Sequence, residues 1–155
     1  MDIEQQLTVQ DLNARYVEAI DAGQLEAWPD FFLDNGVYRI TTADNVEQGL
    51  PLSLMHTTSR AMLRDRVKAL REANIYEAQR YRHIVGSARL EPDGEGVCAR
   101  SNFIVVRIMH TGDTMLFASG RYEDRIVFPN GLPRFAEKTV IIDSRQIDTL
   151  LAIPL

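Results

Sequence analysis

Residues 101–143, SNFIVVRIMHTGDTMLFASGRYEDRIVFPNGLPRFAEKTVIID, decide the fold. β-Branched and aromatic residues recur at strand period through them, and HTGD and PNGLP interrupt the runs with the Gly, Asp, Asn and Pro of hairpin turns. Together with RYRHIVGSARLEPDGEG ahead of them, they predict four long strands at 80–91, 97–110, 114–128 and 134–143, joined as an antiparallel meander. In NFIVVRIM and TVII both alternating registers are apolar. A strand of that kind is covered on both faces, here by helices on one side and, most economically, by a second subunit on the other.

Upstream the period changes. Leu7, Leu12, Tyr16, Ala19 and Ile20 fall three to four residues apart, which predicts an amphipathic helix over 5–20, closed by Gly23. LEAWPDFF predicts a short second helix whose regularity Pro29 limits. LDNGVYRITT predicts a first strand, with a turn signal at Asn35-Gly36. A third helix over 58–72 points Met62, Leu63, Val67 and Leu70 inward, and its Arg60, Arg64, Arg66, Lys68 and Arg71 read as a solvated face. Helices followed by a long, strongly bent sheet make an α+β domain, one domain over 1–155, with N-terminal helices packed on a curved, mainly antiparallel sheet. The expected core is Leu12, Tyr16, Ile20, Trp28, Phe31, Phe32, Tyr38, Leu63, Val67, Phe103, Val105, Phe117 and Val140.

Composition narrows the function. A length of 155 residues with 45% apolar and 25% charged side chains is ordinary for one folded domain. A net charge of −5 argues against a nucleic-acid partner, which requires clustered bases. The acidic, amide-rich start MDIEQQLTVQ does not read as a signal peptide, and no apolar run approaches a membrane span, so cytoplasmic residence and no membrane partner are the expectation. Cys98, the sole cysteine, reads as a buried structural thiol.

Chemistry is sparse. One Cys and three His cannot hold a Rieske cluster, and His56, His83 and His110 match no ligand spacing on one element. Walker, dinucleotide and serine-hydrolase motifs are absent. The remaining constellation is Tyr16, Asp21, Tyr38 and His83. An Asp that orients His83 could supply a general base, although Asp21 at a helix end and tyrosines in a core pattern also have plain structural readings. Arg80, Arg82, Arg107 and Arg121 with Glu123, Asp124 and Asp143 could form a cross-strand ion-pair lattice at a subunit seam, with His83 a member of its rim.

The pieces YVEAIDAGQLEAWPDFF, GVYRITT, RYRHIVG, SNFIVVRIMHTGD, FASGRYED and KTVIIDSRQIDTLLAIPL, in this order, resemble the small (beta) subunit of Rieske non-haem iron aromatic-ring-hydroxylating dioxygenases. REANIY, RIMHTG and DTLLAIPL are most similar to the branch acting on aromatic carboxylic acids, with terephthalate favoured and the salicylate 5-hydroxylase, anthranilate and ortho-halobenzoate enzymes behind. The resemblance implies a nuclear transport factor 2-like cone and no catalytic, cofactor-binding or metal-binding residue on this chain. It implies a large (alpha) subunit holding the Rieske [2Fe-2S] cluster and a mononuclear Fe(II), a three-plus-three assembly around a trimer of this chain, and a reductase, with or without a ferredoxin, that delivers NAD(P)H electrons. The subunit-interface candidates, drawn from RYRHIVG, the neighbouring strand and the C-terminal stretch, are Arg80, Arg82, His83, Arg107, Asp143, Arg145 and Asp148. The alternatives are a free-standing dehydratase- or cyclase-like cone enzyme using His83 and Asp21, and a ligand-binding module of the same fold.

Overall fold

A computed structural model describes residues 3–73, 78–144 and 153–155. Helix α1 (Ile3–Asp21) buries Val9, Leu12, Asn13, Tyr16, Ala19 and Ile20 along one stripe. It stops in a left-handed cap: Gly23 has φ 75°, its N–H reaches the Ile20 carbonyl at 3.0 Å, and the Gln24 N–H reaches the Ala19 carbonyl at 2.9 Å. Glycine meets that φ without a Cβ penalty. The turn sends the chain into a 3-10 segment (Leu25–Phe31), irregular around Pro29 as its sequence predicts, which buries Leu25 and Trp28.

Strand β1 (Phe32–Thr42) follows, its register shifting between Phe32 and Val37 where Asn35-Gly36 interrupts it. Two elements had no sequence signal strong enough to predict them. Helix α2 (Ala43–Glu47) is capped by the Thr42 hydroxyl, which accepts from the Asn45 N–H at 3.1 Å, and β2 (Met55–Thr57) pairs antiparallel with β1. Helix α3 (Arg60–Ala73) turns Leu63 and Val67 into the core. Met62 does not join them; it lies 40% exposed, its sulfur accepting from the Thr58 N–H and hydroxyl. Three bases of α3 reach acids of the preceding segment: Arg60 pairs with Asp34, Arg64 with Asp30, and Arg71 with Glu26, while Arg66 is exposed.

The sheet continues through β3 (Gln79–Val85), β4 (Arg89–Asp93), β5 (Gly96–Met109), β6 (Thr114–Val127) and β7 (Arg134–Ile142). Its order is β2-β1-β7-β6-β5-β3, with β4 also on β5. The hairpins β4–β5, β5–β6 and β6–β7 fall at the turns expected for them. The meander needs two corrections. β1 inserts beside β7 in parallel, so the sheet is mixed, and the strand expected over 80–91 breaks at 86–88 into β3 and β4. There the Gly86 N–H bonds the Asn102 carbonyl at 2.8 Å and the side chain of Gln6 on α1 bonds the Ala88 carbonyl at 2.6 Å. Strand bonding thus gives way to a helix contact as the sheet curls over α1.

The core lies between the helices and the concave face of this sheet. Of the expected core residues only Phe31 and Phe117 are half-buried rather than buried. Phe103 and Tyr122 stack at 4.4 Å between ring centroids on adjacent strands. Tyr16 meets Phe31, Phe32, Tyr122 and Phe135 edge-on, the arrangement that ring quadrupoles favour.

Candidate functional site

β3 alternates, and the alternation sorts the RYRHIVG residues by face. Arg80, Arg82 and Ile84 point outward and are exposed; Tyr81 and His83 point inward and are buried. His83, expected on the rim beside its arginine neighbours, therefore sits on the opposite face, its side chain fully enclosed by this one chain. A side chain so enclosed offers a partner subunit no contact.

What His83 meets instead is Asp21, in the last turn of α1. The His83 main-chain N–H donates to one Asp21 oxygen at 2.8 Å and Nδ1 lies 2.6 Å from the other. With the carboxylate as acceptor, Nδ1 carries the hydrogen. A carboxylate is disfavoured at the negative end of a helix. Two donors from β3 offset that and tie the end of α1 to the sheet. Of the four residues singled out in the sequence, Asp21 and His83 thus form one pair, and Tyr16 and Tyr38 form another, their hydroxyls both donating to the Leu155 main-chain oxygen at 3.0 Å.

His83 Nε2 and the Tyr81 hydroxyl are enclosed and find no hydrogen-bond partner among the described residues. The rings of these two residues are 6.0 Å apart, and Tyr81 lies 5.4 Å from Phe117. Burial pushes the Tyr81 phenol up, so it stays a protonated donor. This corner has the parts of an acid–base site, a carboxylate-oriented imidazole beside a phenol, but the imidazole is sealed.

Sequence reasoning missed the most heavily buried charges. Lys138 on β7 and Asp124 on β6 are cross-strand neighbours, both side chains fully enclosed, with Nζ 3.1 Å from the carboxylate. The ammonium lies 3.6 Å from the Tyr122 ring centroid, 4.4 Å from Phe135 and 4.6 Å from Tyr16. Burial pushes Asp124 up to about 6 despite the opposing pull of Lys138, and burial likewise pushes the Lys138 ammonium down. Asp124, placed in a surface lattice on sequence grounds, belongs to the interior. Of the residues expected in the lattice, Arg121 pairs with Glu123 at 3.2 Å along β6 itself; Arg125–Asp93 at 3.0 Å and Arg100–Glu91 at 3.5 Å are ion pairs outside that expectation.

The other candidates scatter. Arg107 lies over the Phe117 ring at 4.6 Å and bonds the Met115 sulfur. Asp143, just past β7, accepts from the Ser119 hydroxyl at 3.0 Å and is exposed. Arg145 and Asp148 fall outside the described residues. Cys98 is half-buried, and burial followed by nearby Asp93 pushes its thiol up. Among the described residues no group of three His, Cys, Asp or Glu side chains is placed to hold a metal ion, and no helix is long and apolar enough to cross a membrane.

The outer face of β3, β5 and β6 carries one group of exposed apolar side chains; others lie on α1 (Ile3, Leu7), in and after α2 (Val46, Leu50, Leu52, Leu54) and at Leu132. Ile84 faces Ile104 across the β3–β5 pair, and Leu116 sits opposite Val106. Ile84 is 57%, Ile104 37% and Leu116 60% exposed. Arg80 and Arg82 flank them.

This architecture has relatives. Residues 1–139 match the SnoaL-like domain family. The chain is 42% identical over 151 residues to the Comamonas terephthalate 1,2-dioxygenase terminal oxygenase component subunit beta 1, covering 97% of this chain and 98% of that one. It is 40% identical over 147 residues to the anthranilate 1,2-dioxygenase small subunit of Burkholderia cepacia, covering 93% and 90%. A crystal structure from Novosphingobium aromaticivorans, of a beta subunit assigned to an aromatic-ring-hydroxylating dioxygenase, superposes with a TM-score of 0.91 at 36% identity, over 99% of this chain and 100% of that one. A cone whose inward polar groups are paired or sealed and whose sheet carries an apolar row outward on β3, β5 and β6, matched end to end by these relatives, belongs to the small (beta) subunits of aromatic-ring-hydroxylating dioxygenases.

Proposed function

We propose that this chain is a non-catalytic scaffold in the terminal oxygenase component of an enzyme that adds O2 to an aromatic carboxylate, with terephthalate the favoured substrate. In this reading a large subunit carries the Rieske cluster and the mononuclear Fe(II). A reductase, with or without a ferredoxin, brings electrons from NAD(P)H in the cytoplasm, and three large and three small subunits assemble around a trimer of this chain. The identity to the terephthalate enzyme's subunit supports the substrate, although the anthranilate enzyme's subunit is nearly as similar.

The observation that carries the scaffold reading is the inversion of polarity across β3. Its potential catalyst, His83, is sealed inward, while Ile84, Ile104 and Leu116 face outward between arginines. An exposed apolar sheet face of this kind seeks a partner. The surface we assign to assembly comprises Arg80, Arg82 and this apolar row, with Arg107 and Asp143 as further candidates. A closed ring of copies would cover that face and fix the large subunits relative to one another.

Co-expression with the large subunit, followed by solution mass and iron content, tests the reading. A small subunit without iron that joins an iron-loaded complex near three-plus-three supports it; a stable free oligomer that ignores the large subunit overturns it. The orienting bond between Asp21 and His83 favours a second reading, an acid–base cone enzyme. His83→Ala tests the scaffold reading directly: that reading requires activity of the complex to fall only as assembly falls, and a collapse of turnover in an intact, metal-loaded complex overturns it.

A further inference from the structure

A three-fold ring cannot be closed by one patch. Copies that meet through the same surface make a closed pair, whereas a cyclic trimer needs two unlike surfaces on each copy, one given and one received. The row at Ile84, Ile104 and Leu116 is one surface. The opposite lateral edge of the same outer face carries another. Residues 50–54, between α2 and β2, run over the side of β1 that faces away from Tyr38 and Ile40. There the Thr41 hydroxyl donates to the Leu52 carbonyl at 2.7 Å, and the Arg39 Nε donates to the Ser53 hydroxyl at 2.8 Å. The Leu50 N–H reaches the Asn45 carbonyl and the Leu54 N–H the Ile40 carbonyl, each at 2.8 Å. Four of the strip's five residues are thus tied down. Even so, Leu50 is 40%, Leu52 59% and Leu54 54% exposed. A strip anchored in this way holds its leucines out rather than folding them in, and exposed apolar patches rimmed by polar residues mark interaction sites.

The two surfaces differ in charge as well as in shape. Arg80 and Arg82 flank the β3 row, exposed and without an ion-pair partner among the described residues. Glu47, at the end of α2 beside the leucines, is an exposed acid, likewise without a partner among the described residues. Pairing the β3 row with itself would set arginine against arginine; pairing it with the leucine strip sets bases against an acid. Four strand steps separate β3 from β1, roughly 20 Å at about 4.8 Å each, so one copy can engage a neighbour at each edge. The exposed group at Ile3, Leu7 and Leu132 lines a groove against α1 instead and does not belong to this face.

We propose that the β3 row of one copy receives residues 50–54 of the next, with Glu47 set toward Arg80 and Arg82, so that the small subunits join head to tail. This rests on the scaffold reading and adds to it what covers the row: a second copy of this chain rather than the large subunit. Because the strip is already tied down, docking it costs little ordering.

The test is cysteine cross-linking in the complex with the large subunit, on a Cys98→Ser background that removes the chain's own cysteine. Leu52→Cys and Ile104→Cys are made singly, co-expressed, and combined in one chain. Each preparation is treated with a short bis-maleimide, and the small-subunit products are identified by mass. The expected result is no small-subunit product from either single variant, a dimer from the co-expressed pair, and products up to a trimer from the combined variant. If Ile104→Cys does not fold, Ile84→Cys takes its place. A dimer from the row variant alone would mean that the row pairs with itself. Its capture by the large subunit alone would mean that the other subunit covers it, and no product in an intact complex would mean that the two surfaces do not meet. Each of these overturns the proposal and leaves the scaffold reading standing; failure of the unaltered chain to join the large subunit overturns both.

Discussion

Asp21→Ala is the most informative single change, because one carboxylate takes two hydrogen bonds from β3 in an enclosed place. The substitution leaves the His83 main-chain N–H and the Nδ1–H without their acceptor; the bonds measure 2.8 and 2.6 Å. A hydrogen bond to a charged group contributes about 1.5–3 kcal/mol, and a buried donor stripped of its partner costs about 1–3 kcal/mol. Removing a carboxylate from a helix C-terminus returns roughly 0.5 kcal/mol. The net loss should be about 3–4 kcal/mol, or about 10 °C in melting temperature for a chain of this size. Urea unfolding at pH 7, followed by Trp28 emission, measures it. Asp21→Asn keeps one acceptor oxygen and should lose roughly half as much. The double variant Asp21→Ala/His83→Ala should fall short of the sum of the single variants by about 2 kcal/mol, the coupling expected of directly bonded partners. A loss under about 1 kcal/mol for Asp21→Ala, or strict additivity in the cycle, would refute the idea that this pair straps α1 to the sheet.

Four further outcomes follow from the interior and the outer face. Asp124 has its folded-state pKa raised to about 6 from an ordinary 3.8, so its contribution is fully present below about 3.8 and is lost as pH rises through about 6. Between pH 7 and 5 the unaltered chain should therefore gain stability, or lose less, relative to an Asp124→Leu/Lys138→Met double variant; parallel pH profiles in urea would contradict this. Lys138→Met alone should cost about 3–5 kcal/mol, by leaving a buried carboxylate unpaired, while the double variant recovers most of that loss. A Cβ at Gly120 would overlap the Ile141 carbonyl oxygen on β7, so Gly120→Ala should lower the melting temperature measurably, and an unchanged melt would mean that the β6–β7 pair has slack the structure does not show. Ile104→Glu places a charge in the middle of the outer apolar row and should cut co-purification with the large subunit, or the size of the assembly, at little cost to the monomer's own melt; intact assembly would remove this face from the interface.

The elements legible in the sequence were those that combine a strong period with clear punctuation. α1 buries Leu12, Tyr16, Ala19 and Ile20 as expected, with Val9 in place of Leu7, which is 58% exposed, and has a glycine to end it; β5 to β7 are long β-branched and aromatic runs with Gly-bearing hairpins, so the bounds of these elements lie within a few residues of expectation. β2 was missed because three residues cannot display a period, and the parallel β1–β7 pairing because it joins strands roughly a hundred residues apart, with no local trace. The β3–β4 break follows from curvature, which belongs to the sheet and not to either strand. Asp21 and His83 were legible as individual residues but not as a bonded pair, since their contact spans 62 positions.

Lys138 shows what a stricter reading of the same alternation would yield. In RFAEKTVII the inward positions include Lys138 and Val140, and across the hairpin in RYEDRIV they include Tyr122, Asp124 and Ile126, so strict period-two bookkeeping puts a lysine and an aspartate on the apolar face, opposite one another. Two opposite charges in register across a hairpin cancel where either alone would be too costly to bury. The same bookkeeping on β3 puts His83 inside and Arg82 outside, which is the distinction on which the functional reading turns. Charges on the inner face of this cone are explained by each other or by α1. Those on the outer face, set among Ile84, Ile104 and Leu116, have no such explanation within the chain's own core, and that asymmetry directs the search for function outward, to the surface where a partner would sit.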